Sequence, residues 1–158
     1  MASGDDRAEV LDIDGSELSV GIISARWNSN IVTRLFEGAQ RGLSDLGVSN
    51  LHTQTVPGAF ELPLAAKVLA ESRTVDAIVV LGAVIRGETT HYELVAGECG
   101  RGIMDVQLGT NVPIGMGVLT VENVAQAEAR SQDRGGHNVG EQAAQAAVEL
   151  ALVAGNKS

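Results

Sequence analysis

Cysteine, aromatic residues and basic residues are all scarce in this chain of 158 residues. A single cysteine, Cys99, excludes an internal disulfide framework and fits a reducing compartment. Only 11 lysines and arginines stand against 20 aspartates and glutamates, a formal charge of −9. That surplus of acid excludes the phosphate-backbone binding of a nucleic-acid protein and attachment to an anionic membrane surface. No apolar run nears the roughly 20 residues that span a bilayer. The first ten residues carry neither the basic nor the apolar region of a signal peptide. A cytoplasmic protein with no membrane or nucleic-acid partner is expected.

What is present is an ordinary globular composition. With 44% hydrophobic residues, a chain of this length can bury one sizeable core. The charge is uneven. Asp5, Asp6, Glu9, Asp12, Asp14 and Glu17 against Arg7 put −5 of the −9 into residues 1–17. This predicts an acidic N-terminal arm over 1–17 and a single domain over 18–158.

Within that domain, short apolar runs at Leu18–Ser24, Leu51–Val56, Ala77–Ile85 and Val112–Leu119 read as strands. The third is apolar almost throughout, as a strand buried on both faces of a parallel sheet must be. Stretches of helical periodicity separate them. Ile31, Leu35, Ala39, Leu43 and Leu46 form one stripe ending at Gly47, and Leu62, Ala65, Ala66 and Leu69 form a second. A third helix is predicted from about Thr89 to Leu108, and two more near 123–131 and 138–154. Asn138 with Glu141 has capping-box spacing at the start of the last. Alternating strands and helices of this length define a three-layer α/β fold with a parallel sheet.

Ligands of such sheets bind beyond the carboxyl ends of the strands. The segments Ala25–Asn30, Pro57–Glu61 and Arg86–His91 and the end of the fourth strand should therefore meet, and three of the four aromatic residues, Trp27, Phe60 and Tyr92, are assigned to these strand ends. Aromatic side chains spent there suggest a ligand with a flat ring. Gly82 to Thr89 copies the spacing of a phosphate-binding P-loop, but Glu88 stands where that loop needs lysine, so nucleotide binding is rejected. Thr90 and Glu93 have capping-box spacing. Ordinary helix initiation and a phosphate seated on the helix N-terminus are both open readings, the second with Thr89 adding a hydroxyl. His91 would then stand beside the anion, and imidazole is the side chain that ordinarily exchanges protons near neutral pH. His52 and His137 are assigned to a strand and a loop without a role. No H-x-x-x-H or C-x-x-C spacing points to a metal. Trp27 reads as core, interface or stacking platform, and Arg130 as a solvated helix charge or an anion partner.

The segments VPGAFELP (56–63), DAIVVLGAVIRGETTHYELV (76–95), VPIGMGVLTVEN (112–123) and QAEAR (126–130), in that order, resemble the 6,7-dimethyl-8-ribityllumazine synthase family. The likeness extends over essentially residues 18–155. It implies a flavodoxin-like, four-stranded parallel sheet flanked by helices, and subunits assembled as pentamers or assemblies of pentamers, with sites between adjacent subunits. It also implies condensation of 5-amino-6-ribitylaminouracil with 3,4-dihydroxy-2-butanone 4-phosphate, the penultimate step of riboflavin biosynthesis, without metal or organic cofactor. By position, Trp27 would stack on the pyrimidine, Ala59, Phe60 and Glu61 would meet the ribityl chain, and Ala83, Val84 and Ile85 the pyrimidine edge. Glu88, Thr89 and Arg130 would bind phosphate, His91 would transfer protons, and Met116 would complete the pocket from a neighbouring subunit. The chain departs from the family at Met116, where many members have Phe, and at Asn138-Val139-Gly140, where many have Asn-Lys-Gly. A non-catalytic flavin- or lumazine-binding scaffold, or a shell protein, is the alternative.

Overall fold

A computed structural model describes residues 8–155. Asp5, Asp6 and Arg7 of the predicted acidic arm lie outside the described residues. Residues 8–12 run without regular structure and mostly exposed, until Ile13 packs against the core and the Gly15 N–H donates to the Leu46 carbonyl at 2.7 Å.

Four parallel strands, β1 (Ser19–Ala25), β2 (Asn50–Val56), β3 (Ala77–Ile85) and β4 (Ile114–Val121), form one sheet in the order β2-β1-β3-β4. Helices α1 (Ser29–Asp45) and α5 (Val139–Val153), with the short α4 (Val124–Ala129), cover one face. Helices α2 (Leu62–Glu71) and α3 (His91–Thr110) cover the other. Alternation along β3 divides its side chains between the two cores: Ala77, Val79 and Leu81 face α1 and α5, while Ile78 and Val80 face α2 and α3. These five are fully buried, which is why this strand reads as an unbroken apolar run.

The helices start and stop where local chemistry directs. Gly47, at φ +87°, takes the left-handed conformation that ends α1 and lets the Val48 N–H return to the Leu43 carbonyl. Asn138 caps α5, its Oδ1 accepting from the Glu141 N–H at 3.0 Å, while its Nδ2 donates to the carbonyls of Arg34 and Gln132. The reciprocal half of that capping box is missing, because the Glu141 carboxylate pairs with Arg41. The Thr90–Glu93 box does not form either: the Thr90 side chain makes no cap hydrogen bond, and Glu93 pairs with Arg86. β4 begins two residues later than the apolar run suggests. Pro113 has no N–H to give a ladder, and the Val112 N–H goes to the Thr110 hydroxyl at 3.2 Å.

Among the described residues, no helix is long and apolar enough to cross a membrane.

Candidate active site

Three strand ends and the first turns of α3 converge on a groove of about 490 Å³; the end of β4, on the far side of β3 from β1, does not line it, contrary to expectation. The chain leaving β1 supplies Trp27 and Asn28. The loop after β2 supplies Gly58 and a single 3₁₀ turn, Ala59–Glu61. The end of β3 supplies Ala83, Val84 and Ile85, and α3 supplies His91, Leu94 and Val95. Parallel strands make this convergence inevitable, since every carboxyl end falls on the same side of the sheet.

Trp27 is 73% exposed and Phe60 54%, so neither is a core residue. Both line the groove, where an aromatic ring can pack against a flat ligand. The Trp27 main-chain N–H donates to the Pro57 carbonyl at 3.2 Å, and the indole lies against Gly58, where a side chain would crowd it. Glu61 is exposed on the 3₁₀ turn with its carboxylate free to accept from hydroxyl groups. His91 is exposed at the first residue of α3, and its main-chain N–H donates to the Thr89 hydroxyl at 3.3 Å. Thr89 therefore does serve the start of this helix, though from one residue before Thr90.

Eight of the residues assigned from the sequence line this one groove: Trp27, Ala59, Phe60, Glu61, Ala83, Val84, Ile85 and His91. Four do not. Glu88 and Thr89 are exposed on the turn between β3 and α3. Arg130 caps α4, its guanidinium donating to the Gln126 carbonyl at 2.9 Å. Met116 lies in mid-β4 opposite Val80, exposed because β4 is an edge strand. Tyr92, also assigned to a strand end, turns away from the groove and lies under the Arg86 guanidinium, 4.4 Å from ring centroid to cation.

Arg86 ties the approach to the site together. It bonds Glu93 on α3 and, at 3.0 Å through Nε, Glu122 just beyond β4. The bond from Arg86 holds the Glu93 carboxyl below the usual carboxylate range.

Asn28, Gly58, Leu94 and Val95 also line the groove; Asn28 and Gly58 fall within the segments expected to meet there without a role of their own, and Leu94 and Val95 lie beyond them. Leu94 and Val95 stand three and four residues after His91, the spacing that puts them on its helix face. Asn28 and Gly58 flank residues that were assigned. No cluster of metal-ligating side chains occurs among the described residues.

Fold and groove together define the class: a parallel α/β protein with an open, aromatic-walled cleft at the carboxyl ends of its strands. The family model of 6,7-dimethyl-8-ribityllumazine synthase matches residues 17–154. The chain is 48% identical to the 6,7-dimethyl-8-ribityllumazine synthase of Cupriavidus metallidurans over 142 residues, 89% of this chain and 81% of the relative. It is 45% identical to that of Leptothrix cholodnii over 148 residues, 92% and 93% of the two chains. The chain belongs to the 6,7-dimethyl-8-ribityllumazine synthase family.

Proposed function

We propose that this chain condenses 5-amino-6-ribitylaminouracil with 3,4-dihydroxy-2-butanone 4-phosphate to 6,7-dimethyl-8-ribityllumazine, releasing phosphate and water. The observation that carries this reading is the meeting of Trp27, Phe60, Glu61 and His91 on one groove in a chain of this family. Trp27 stacks on the pyrimidine, whose edge meets the main chain of Ala83–Ile85, and Ala59, Phe60 and Glu61 take the ribityl chain. Glu88 and Thr89 receive the phosphate-bearing substrate at the mouth of the turn before α3, with Arg130 as its cationic partner.

The chemistry is a sequence of proton movements. The uracil amine attacks the ketone and water leaves to give a Schiff base. Phosphate is eliminated, and the ribityl-bearing amine closes the ring with loss of a second water. His91 relays protons through these steps. Holding two reactants in register supplies much of the acceleration, up to roughly 7–11 kcal/mol when the geometry is ideal.

The site needs a second copy of the chain. Met116 and Arg130 lie off the groove of their own chain, and both reach the groove of an adjacent subunit. A pentamer, or an assembly of pentamers, is supported by the exposed apolar side chains Leu64 and Val68 on α2, Leu94, Met104 and Leu108 on α3, and Met116 on β4. The polar edge strand β2 is open to receive a neighbour's N-terminal arm, residues 1–17, with residues 18–158 as the domain. A cytoplasmic location agrees with the buried, unpaired Cys99.

Mixing the purified chain with both substrates and following lumazine fluorescence tests the activity. A rate above the spontaneous background is expected, and none would overturn the reading. Native mass spectrometry tests the assembly, with masses in multiples of five subunits expected.

A further inference from the structure

β3 outruns its neighbour on one side. Its ladder with β1 ends at Ser24–Leu81, whereas its ladder with β4 continues to Ile85–Val121. Beyond Leu81, no strand among the described residues lies beside the β1-facing edge, because β1 stops at Ala25 and the chain turns into α1. Main-chain groups point alternately to the two sides of a strand. The Arg86 N–H donates to the Val121 carbonyl on the β4 side. The groups of Ile85 and Ala83, one and three residues back, therefore point to the open edge.

One of them is already engaged. The Asn28 side-chain amide donates to the Ala83 carbonyl at 2.8 Å and stands in for the missing strand at that one position. Asparagine before a helix commonly caps it, yet this side chain makes no cap hydrogen bond to α1. Its amide is committed across the groove instead. The backbone suits the residue: Asn28 lies at φ 58°, ψ 48°, a left-handed conformation that asparagine tolerates better than other side-chain-bearing residues. One residue earlier, the Trp27 N–H holds the Pro57 carbonyl. The turn is thus fastened to the loop after β2 through Trp27 and to β3 through Asn28.

The geometry points to Asn28 as a positioning residue for the ring-binding half of the site. Its side chain sets the separation between the Trp27 indole and the Ala83–Ile85 edge. By occupying the Ala83 carbonyl, it leaves the Ile85 N–H and C=O as the donor–acceptor pair offered to the edge of a flat ring. A uracil-type imide presents the complementary acceptor and donor. The identity of that ring rests on the proposed condensation; the tie between Asn28 and Ala83 does not.

Two variants test it. Asn28→Gly keeps the left-handed turn and removes the amide, and Asn28→Asp keeps the shape but turns lone pairs toward the Ala83 carbonyl. The chain has one tryptophan, so its fluorescence reports Trp27 alone. Both variants are expected to keep the native mass, to melt within about 4 °C of the unaltered protein and to show added fast depolarisation of Trp27 in time-resolved anisotropy. The KM for the aminouracil should rise about tenfold, as loss of a well-placed hydrogen bond allows. The KM for the butanone phosphate should stay within about twofold. An Asn28→Gly protein that folds with unaltered Trp27 anisotropy and unaltered aminouracil KM would overturn the proposal, and so would equal rises in both KM values. Should the unaltered protein form no lumazine, the functional reading fails, and Trp27 anisotropy alone decides the role of Asn28.

Discussion

The Nε of Arg86, at the end of β3, donates to the Glu122 carboxylate just beyond β4 at 3.0 Å, and the same guanidinium bonds Glu93 in the first turn of α3. One side chain thereby joins the two strand ends and the helix that carries His91.

Replacing Arg86 by methionine should separate stability from function. Exposed ion pairs add little to folding, so the melting temperature should fall by no more than about 4 °C. Activity should drop roughly tenfold or more, because His91 loses its fixed position relative to the strand ends. The Glu93 carboxyl is held below the usual range by Arg86, so the pair is intact at neutral pH and is lost only as pH falls through that lowered value. Differential scanning fluorimetry alongside steady-state kinetics reads both effects; a large melting shift with unchanged kcat/KM would contradict the assignment.

His91→Ala should slow turnover by roughly 10²–10⁴-fold without abolishing it, since proton relay is only part of the acceleration and positioning supplies the rest. Rate measurements against the spontaneous background check this. A variant that folds, assembles and binds both substrates yet shows no acceleration would place the whole effect in the histidine.

α5 meets α1 with no room for a side chain at Gly140, where a Cβ would strike the Leu35 main chain, carbonyl oxygen first. Main chain cannot swing aside as a flexible side chain can. Gly140→Ala should therefore destabilise the protein by roughly 1–3 kcal/mol. Urea unfolding midpoints measure it, and an unchanged midpoint would show that the helices slide apart freely.

Burial pushes the Cys99 thiol up to about 11. The folded chain keeps this proton after the unfolded chain has released it. Across that window the unfolded state binds fewer protons, and stability falls as pH rises from about 9 to 11. Relative to Cys99→Ala, the unaltered chain should lose roughly 2–3 kcal/mol over that range and nothing below it. Denaturation of both proteins between pH 7 and 11 checks the sign.

Much of this architecture is legible in the residues because its causes are local. The apolar run of β3, the Ile31-to-Leu43 stripe and Gly47 each declare an element and its end through burial, period and φ. Competition between polar groups is harder to read. Glu93 has the spacing of a capping residue, but Arg86, seven positions back, bonds it through the folded turn. Glu141 likewise leaves its own helix start for Arg41, 100 residues away in sequence. Asn28 escaped assignment for the same reason: its partner, the Ala83 carbonyl, exists as an open acceptor only once β1 stops short of β3. Leu94 and Val95 were within reach, since helical spacing from His91 predicts their face. Met116 and Arg130, which the resemblance implies as site residues, do not line the groove of their own chain.

The proposal that two copies share each site is tested most directly by reassembling hybrids. Chains carrying His91→Ala and chains carrying Arg130→Ala, each impaired alone, are dissociated, mixed in equal amounts and reassembled, and the lumazine-forming rate is measured. Where one copy supplies the groove and its neighbour the arginine, about one quarter of the sites regain both unaltered residues. The rate should then rise toward a quarter of that of the unaltered protein. A mixture no faster than the average of the two parent variants would contradict a shared site.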